Sequence, residues 1–219
     1  MVKQSQFAIP FSEEVVLKIE RVCAIVATIL WAIAESWYCF QSFTGSDNVR
    51  PKLATWLIFG VGSTLSSLSY FENERKKGNR PSFWNSPANW MDPWFTWSIF
   101  AVVAFSPHAD QNFNKFDVAC LVGSAVSVVL WKTTKSPKTG NYALQVIMTV
   151  GYAPMVMKLA RAGVNTESFV LWGVNLVIAV LFAAAPIRAR DTMGMIYIGR
   201  AFACVAGILA VMVYPQFLR

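Results

Sequence analysis

Charged residues are scarce in this chain. Asp, Glu, Lys and Arg together make up 14% of it, whereas hydrophobic residues make up 55%, and the mean hydropathy is +0.44. A soluble globular protein has about 25% charged residues, because its surface faces water. The composition therefore excludes a soluble globular chain and indicates a polytopic membrane protein.

Residues that most catalytic and metal sites require are also few. His108 is the single histidine and lies in a predicted loop, and the four cysteines stand apart at positions 23, 39, 120 and 204. The chain has no Gly-x-Ser-x-Gly elbow, no phosphate-binding glycine loop and no paired-cysteine zinc motif. Its last hydrophobic stretch contains no lysine that could hold retinal. We therefore predict that the protein is not an enzyme and uses neither a metal nor a cofactor.

Seven hydrophobic stretches are long enough for membrane helices, which need roughly 20 mostly apolar residues. They cover residues 20–43, 52–71, 93–109, 116–132, 142–160, 168–187 and 193–215. A re-entrant hairpin is the alternative for the third and fourth. Ser12 followed by two glutamates is typical of a helix start, and no signal-peptide cleavage pattern follows, so we expect the first helix to remain as an anchor. The predicted fold class is an all-α integral membrane protein with a single membrane domain over residues 1–219.

Lysine and arginine are distributed unevenly between the two sides of this predicted bundle. With seven spans, 12 of them fall on the side of the amino terminus and six on the opposite side. The positive-inside rule then places the amino terminus inside and the carboxyl terminus outside, and we expect the inner membrane of a bacterium. The longest basic cluster, residues 74–80, adjoins a predicted helix. This position favours the lipid bilayer, and not nucleic acid, as the partner of the basic residues.

One predicted membrane helix occurs twice in similar form. Thr55–Gly62 reads TWLIFGVG, and 113 residues later Ser168–Asn175 reads SFVLWGVN. The matching helices are the second and the sixth, which predicts two three-helix repeats, residues 1–110 and 139–219, joined by a connecting helix within residues 111–138. A single connector gives both repeats the same orientation in the membrane, so they are parallel repeats. A solute site is then expected between them, near the bilayer midplane.

The second repeat carries a pattern of known type. Pro154 leads to Lys158, then to a short polar turn ending in Ser168, and then to Trp172 and Asn175 on the next helix. This order resembles the second repeat of the PQ-loop and SWEET sugar-carrier superfamily, and it is similar to that of bacterial nicotinamide riboside carriers. The resemblance implies a three-one-three arrangement of helices and a solute carrier.

The chain departs from that superfamily in three respects. Met155 stands where PQ-loop proteins have glutamine, the first repeat has Gln41 but no helix proline, and Gly62 stands where the second repeat has Asn175. A closer likeness, over about residues 50–190, is to an uncharacterised group of bacterial seven-helix membrane proteins. It rests on Arg50-Pro51 before Thr55-Trp56, on Phe116-Asp117 opening a helix that ends in Leu130-Trp131, and on Pro154 with Thr166-Glu167-Ser168. This likeness implies no known activity.

Two charged residues fall within predicted spans. Glu35 lies near the middle of the first, where an acid costs about 2.5–3.5 kcal/mol on insertion scales and usually faces a cavity or a partner. It shares a helical stripe with Trp31 and Tyr38, and it either serves packing in protonated form or contacts a solute or a coupling proton. Arg200 either snorkels toward the basic side, pairs with Glu35, or contacts an anionic group.

The second repeat supplies the remaining candidates. Trp172 and Asn175 place an aromatic plane and an amide one helical turn apart, which suits a sugar or nucleoside ring. Pro154 frees the carbonyl of Val150 and permits a bend, so we predict a hinge there, with a static kink as the alternative. The predicted substrate-binding residues are Glu35, Tyr38, Trp56, Phe59, Gln145, Thr149, Tyr152, Trp172 and Asn175.

Three functions are compatible with this pattern. The first is a carrier that moves a small polar metabolite, such as a sugar, nucleoside or vitamin-like solute, by alternating access through a midplane cavity. The others are a structural or accessory membrane protein that moves no solute, and a small-molecule sensor. A water-accessible cavity with Glu35 and Asn175 favours the carrier, and a tightly packed centre favours the structural protein. The expected partners are a solute and the lipid bilayer, and self-association stays open.

Overall fold

The structure is a computed structural model that describes residues 12–217, and within that range it is all-helical. Its α-helices are α1 (Glu13–Thr44), α2 (Leu53–Lys76), α3 (Pro87–Phe105), α4 (Lys115–Thr134), α5 (Pro137–Val150), α6 (Ala153–Ala162), α7 (Phe169–Arg188) and α8 (Thr192–Phe217). Two short 3-10 turns lie in the loops before α2 and α3. The isolated bridge between Lys52 and Asp110 is the single β-type contact of the described chain.

Each of the seven predicted spans corresponds to a helix, and the fifth contains a break. That span covers α5 and α6, which are separated at Gly151 and Tyr152, just before Pro154. Three helices begin five or more residues before their predicted spans. α1 begins directly after Ser12, which the sequence predicted as a helix start. α3 and α5 begin at Pro87 and Pro137, because a proline in the first turn gives up no helical hydrogen bond.

Four helical stretches are long and apolar enough to cross a membrane. They are Lys115–Thr134, Pro137–Ala162, Phe169–Arg188 and Thr192–Tyr214. α1, α2 and α3 are not among these stretches, and the faces that they bury are partly polar. α2, for example, buries Ser63, Ser66 and Ser69. After the exposed charged residues of its first turns, which end at Arg21, the large residues that α1 exposes are nevertheless apolar and include Val22, Ile25, Ile29 and Ile33.

The helices pack in a regular pattern. α3 packs against α1 and α2, whereas α8 packs against α7, α5 and α6. Between these groups, α1 packs against α7 and α2 packs against α5, while α4 contacts α5 and α2. Close approach of α2 and α5 requires Gly62, because a Cβ there would lie 2.7 Å from Cγ of Met148. This contact explains why the first copy of the repeated segment lacks the asparagine that the second has at Asn175.

Three loops meet at one end of the molecule, which we call the loop-bonded end. They are residues 45–52, 106–114 and 163–168. The backbone N–H of Arg50 donates to the carbonyl of Thr166 at 3.0 Å. The ammonium of Lys52 lies 2.7 Å from the carboxylate of Asp117, and both side chains are buried. Hydrogen bonds and a buried ion pair therefore join all three loops and the start of α4.

The opposite end, which we call the basic end, contains the other connections. They are residues 77–86, 135–136 and 189–191. Arg188 at the end of α7 donates to Glu20 near the start of α1 at 2.6 Å. Lys76 at the end of α2 donates to the carbonyl of Lys135 at 2.7 Å. Consecutive predicted spans therefore run in alternating directions between the two ends.

Candidate functional site

A cavity lies in the middle of the helix bundle, and we call it the central cavity. Its volume is about 80 Å³, which is room for roughly two or three water molecules at about 30 Å³ each. Pockets for drug-sized ligands are larger, on the order of 300–1,000 Å³. The aromatic residues that line it are Trp31, Trp56, Phe59, Phe95, Tyr152, Trp172, Phe182 and Tyr197, and the polar ones are Asp92, Thr96, Asn175 and Arg200.

Aromatic rings form the wall of the cavity toward the loop-bonded end. The rings of Trp56 and Trp172 are stacked, with centroids 6.3 Å apart and planes at 19°. Phe59 and Tyr152 are in contact, with centroids 4.5 Å apart. Phe59 and Trp172 hold equivalent positions in the two repeated segments, and both line the cavity. The duplicated helix therefore contributes the same kind of wall from α2 and from α7.

Arg200 places a guanidinium in the cavity wall. It lies in the third turn of α8, about 12 Å along the helix from Thr192 at 1.5 Å per residue. Its Nε donates to Oε1 of Gln145 at 2.7 Å, and its guanidinium carbon lies 5.2 Å from the ring centroid of Tyr197. Its Nη1 is buried and makes no hydrogen bond within the described chain. A buried donor of this kind is costly unless a ligand or water accepts from it.

Asp92 places a carboxylate in the same cavity. It is buried on α3, and the hydroxyl of Tyr197 donates to its Oδ2. One turn further along α3, the hydroxyl of Thr96 donates to the Asp92 carbonyl at 2.8 Å and lies 3.0 Å from that of Ser63. The cavity thus holds a base, an acid and the amide of Asn175 among apolar rings.

Gln145 connects Arg200 to a polar network between α2 and α5. Its Nε2 donates to the hydroxyl of Ser66 at 2.8 Å, while its Oε1 accepts from Arg200. Asn141, one turn earlier on α5, donates to Ser66 and Ser69 at 3.0 Å each. Because Gln145 is held on both sides of its amide, it fixes the orientation of the Arg200 guanidinium.

A hydrogen-bonded layer separates the cavity from the loop-bonded end. Nε1 of Trp56 donates to the hydroxyl of Tyr38 at 3.3 Å, and that hydroxyl donates to Oε2 of Glu167 at 3.1 Å. Lys158 Nζ lies 3.7 Å from Oε1 of the same carboxylate. Burial raises the pKa of Glu167, and the opposing effects of Lys158 and Tyr38 offset it only in part. This layer joins α1, α2, α6 and the loop before α7.

The structure brings six of the sequence-predicted residues together and places five elsewhere. Trp56, Phe59, Tyr152, Trp172, Asn175 and Arg200 line the central cavity. Tyr38 lies one layer behind Trp56, and Gln145 lies behind Arg200, so both act on lining residues and do not line the cavity themselves. Pro154 is buried in the first turn of α6, next to the break at Tyr152.

The other two predicted positions, Thr149 and Glu35, do not line the central cavity. Thr149 is exposed on the outer face of α5, and its hydroxyl bonds back to the carbonyl of Gln145 at 2.8 Å. Glu35 is buried but does not line the cavity, where Trp31 on the preceding turn occupies the wall. Arg200 does not pair with Glu35 in the described chain, because its Nε donates to Gln145.

Sequence reasoning missed the acid and several rings of the site. Asp92 precedes the predicted third span, in a stretch rich in tryptophan and proline that is typical of a membrane interface. The early start of α3 at Pro87 brings Asp92 into the bundle. The signal that could have found it is Ser86-Pro87, which is typical of a helix start. Phe95 and Phe182 had no signal beyond their hydrophobicity.

Comparison of the chain with protein-family models, with curated proteins and with solved structures finds no match. The resemblance to PQ-loop, SWEET and nicotinamide riboside carriers therefore stays a prediction. No group of three His, Cys, Asp or Glu residues in the described range is placed to hold a metal ion.

Proposed function

We propose that the chain is an integral membrane carrier that moves a small polar metabolite through the central cavity. The membrane location is supported by the four long apolar stretches. In each of them, at most 39% of the most apolar 18 residues is buried inside the protein. Most of that apolar surface therefore needs a nonpolar solvent, which the bilayer supplies. We place the protein in a bacterial inner membrane with its basic end inside.

The first three helices belong to the same membrane bundle in this proposal. α1 has 32 residues and is therefore about 48 Å long at 1.5 Å per residue, more than the roughly 30 Å of a bilayer core. Its exposed large residues are apolar along most of that length. Polar residues on its buried face, including Glu35 and Gln41, lower its overall apolarity without reaching lipid. Seven spans result when α5 and α6 count as one.

Two parallel three-helix repeats organise the carrier. The proposed repeats are residues 1–110 and 139–219, and α4 is the connector. Helix packing supports this division, because α3 contacts both α1 and α2, and α8 likewise contacts both α7 and α5–α6. Contacts across the interface are also reciprocal, since α1 meets α7 and α2 meets α5. Such an interface is where repeat-built carriers hold their solutes.

The single observation that carries the proposal is the unpartnered Nη1 of Arg200 in a cavity lined by aromatic rings. In a protein with a purely structural role, a guanidinium at this depth would have partners for all its donors or would be absent, because a charge in the bilayer core is costly. A solute that accepts a hydrogen bond from Nη1 and stacks on Trp172 accounts for both features. Asn175 adds a second polar contact on the α7 side.

Alternating access in this proposal uses the layer at the loop-bonded end and the break in the fifth span. Tyr38 and Glu167 close the cavity toward that end in the described conformation. Opening requires the Tyr38–Glu167 hydrogen bond to separate and α6 to move with respect to α5. The break at Gly151 and Tyr152, next to Pro154, is the hinge for that movement.

A structural or accessory protein is the second candidate function, and the small volume of the cavity favours it. Ligand-dependent stabilisation of the purified chain separates the two candidates. Sugars, nucleosides, vitamins, amino acids and short organic acids are each added, and unfolding temperatures are compared. A ligand at about 100 Kd stabilises the folded state by roughly 2.7 kcal/mol.

Trp172→Ala is the test variant for this experiment, and Trp94→Ala is its matched control because Trp94 is 72% exposed. For a carrier, at least one solute should stabilise the wild type and the control but not the Trp172 variant. If no solute stabilises a chain that remains folded, the structural function is the better account.

A further inference from the structure

Arg200 is a cation without an ionic partner in the described part of the chain. No carboxylate there comes within the 4.0 Å ion-pair distance of its guanidinium. Asp92 acts on it electrostatically from beyond that distance, and Tyr152, Tyr197 and Cys204 are its other titratable neighbours. Tyr152 also interacts with it through a hydrogen bond. Its Nε is held by Gln145, whereas its buried Nη1 makes no hydrogen bond within the described chain and is available to an external group.

We propose that the solute of the central cavity is a small monocarboxylate whose carboxylate binds Nη1 of Arg200. This inference rests on the proposed carrier function and specifies its substrate class. A guanidinium binds a carboxylate through charge-assisted hydrogen bonds, which are about twice as strong as neutral ones. The carboxylate would also form the close ion pair that Arg200 lacks within the described chain.

The volume and the walls of the cavity limit the rest of the solute. At about 80 Å³, the cavity has about half the volume of an engineered 150 Å³ cavity that holds benzene. Because benzene has six non-hydrogen atoms, a solute with about three to five non-hydrogen atoms in all, the carboxylate included, is the upper limit without expansion. Ile99, Phe182 and Val205 line the cavity and favour a short carbon chain. The hydroxyls of a sugar would find few partners on such walls.

Gln145 is the positioning residue for this site. Its amide accepts from Nε of Arg200 and donates to Ser66. Loss of the amide would release the guanidinium without removing its charge. Asp92 has the opposite effect on an anion, because its carboxylate is a like charge in the same cavity. The two residues therefore give variants with effects of opposite sign.

The experiment measures the affinity of the purified full-length chain for propionate by calorimetry at pH 7, with propionamide as the neutral analogue of the same shape. We expect propionate to bind and propionamide to bind at least tenfold more weakly. Arg200→Gln should weaken propionate binding about tenfold to a hundredfold, the effect of losing a charge-assisted bond. Gln145→Leu should weaken it less, and Trp94→Ala should leave it unchanged.

The direction in which Asp92→Asn changes the affinity for propionate is the decisive result. This substitution keeps an oxygen that accepts from Tyr197 and removes the negative charge, so propionate should bind about threefold or more tightly. Weaker or unchanged binding in Asp92→Asn overturns the proposal, and that result is available even where Arg200→Gln fails to fold. Equal binding of propionamide and propionate overturns it as well.

A separate outcome distinguishes the substrate class from the carrier function. If glucose or uridine binds in a way that depends on Trp172 and crosses liposome membranes while propionate does neither, the monocarboxylate class is wrong and the carrier function stands. If none of these solutes binds or crosses, both proposals fail.

Discussion

Lys52 and Asp117 form the most buried ion pair of the described chain. Their charged atoms are 2.7 Å apart, and their side chains are 7% and 0% exposed. Removal of one partner leaves an uncompensated buried charge, which typically costs about 3–5 kcal/mol. We predict that Lys52→Met lowers the free energy of unfolding by that amount, as measured by denaturant unfolding in detergent.

Two further variants control this prediction. Lys18→Met removes a pair with Glu14 whose side chains are 71% and 77% exposed, and it should change stability by no more than about 1 kcal/mol. The double variant Lys52→Met with Asp117→Asn should recover part of the loss, because no unpaired charge remains. An effect of Lys52→Met no larger than that of Lys18→Met would contradict the account of the loop-bonded end.

Glu167 should make stability depend on pH. Because burial raises its folded-state pKa, the folded chain binds the proton more tightly than the unfolded chain does. Its contribution to stability is therefore complete below the unfolded pKa of about 4.3 and is lost as the pH rises through the folded pKa. We predict that the stability of the wild type relative to Glu167→Gln declines from pH 4 upward, as measured by unfolding temperature. A difference that grows with pH would be inconsistent with this assignment.

Among the helices, the close packing of α4 against α5 depends on Gly140. A Cβ on Gly140 would lie 2.4 Å from Cβ of Trp131, whereas a Cβ on Gly173 of α7 would point into open space. Gly140→Ala should therefore destabilise the fold by about 1–3 kcal/mol through overpacking. Gly173→Ala should be neutral or stabilising by up to about 1 kcal/mol. Equal effects of the two substitutions on unfolding temperature would argue against close packing of α4 on α5.

The helices could be predicted from the sequence because the length of an apolar stretch and the Gly, Pro and charged residues that end it are local signals. Which face of a helix is buried is harder to predict. On α5, Asn141 and Gln145 are buried, and Thr149 was predicted as a site residue at the same four-residue spacing, but the next buried position is Met148. At about 100° per residue, Met148 lies about 20° from the direction of Asn141 and Thr149 about 80° from it. Four-residue spacing continued over two turns therefore leads away from the buried face of the helix.

The limits of prediction for the site have the same origin. Trp172 and Asn175 were accessible because a repeated segment marks the helix that carries them. Asp92 and Gln145 act through contacts to Tyr197 and Arg200, more than 50 residues away along the chain. No local pattern encodes such distances, so the sequence left three alternatives open for Arg200, and its contact with Gln145 was not among them.

The whole molecule has two chemically different ends, and their sidedness can be measured. The proposed orientation has the basic end inside and the loop-bonded end outside. In a variant whose native cysteines are replaced by serine, Arg80→Cys at the basic end should be protected from a membrane-impermeant thiol reagent in intact cells. Asn112→Cys at the loop-bonded end should react, and both residues are exposed. The reverse labelling pattern would contradict the proposed orientation.

A carrier must admit water to the central cavity from both sides of the membrane. The most direct measurement is the modification of Asn175→Cys, in the cysteine-free variant, by a small charged thiol reagent added to right-side-out and to inverted vesicles. Thr149→Cys is the control, because Thr149 lies on the outer face of α5, which the proposed orientation places against lipid. We predict modification of Asn175→Cys from each side and none of Thr149→Cys. If Asn175→Cys stays unmodified from both sides in a folded protein, the cavity is not a transport site and the carrier function is wrong.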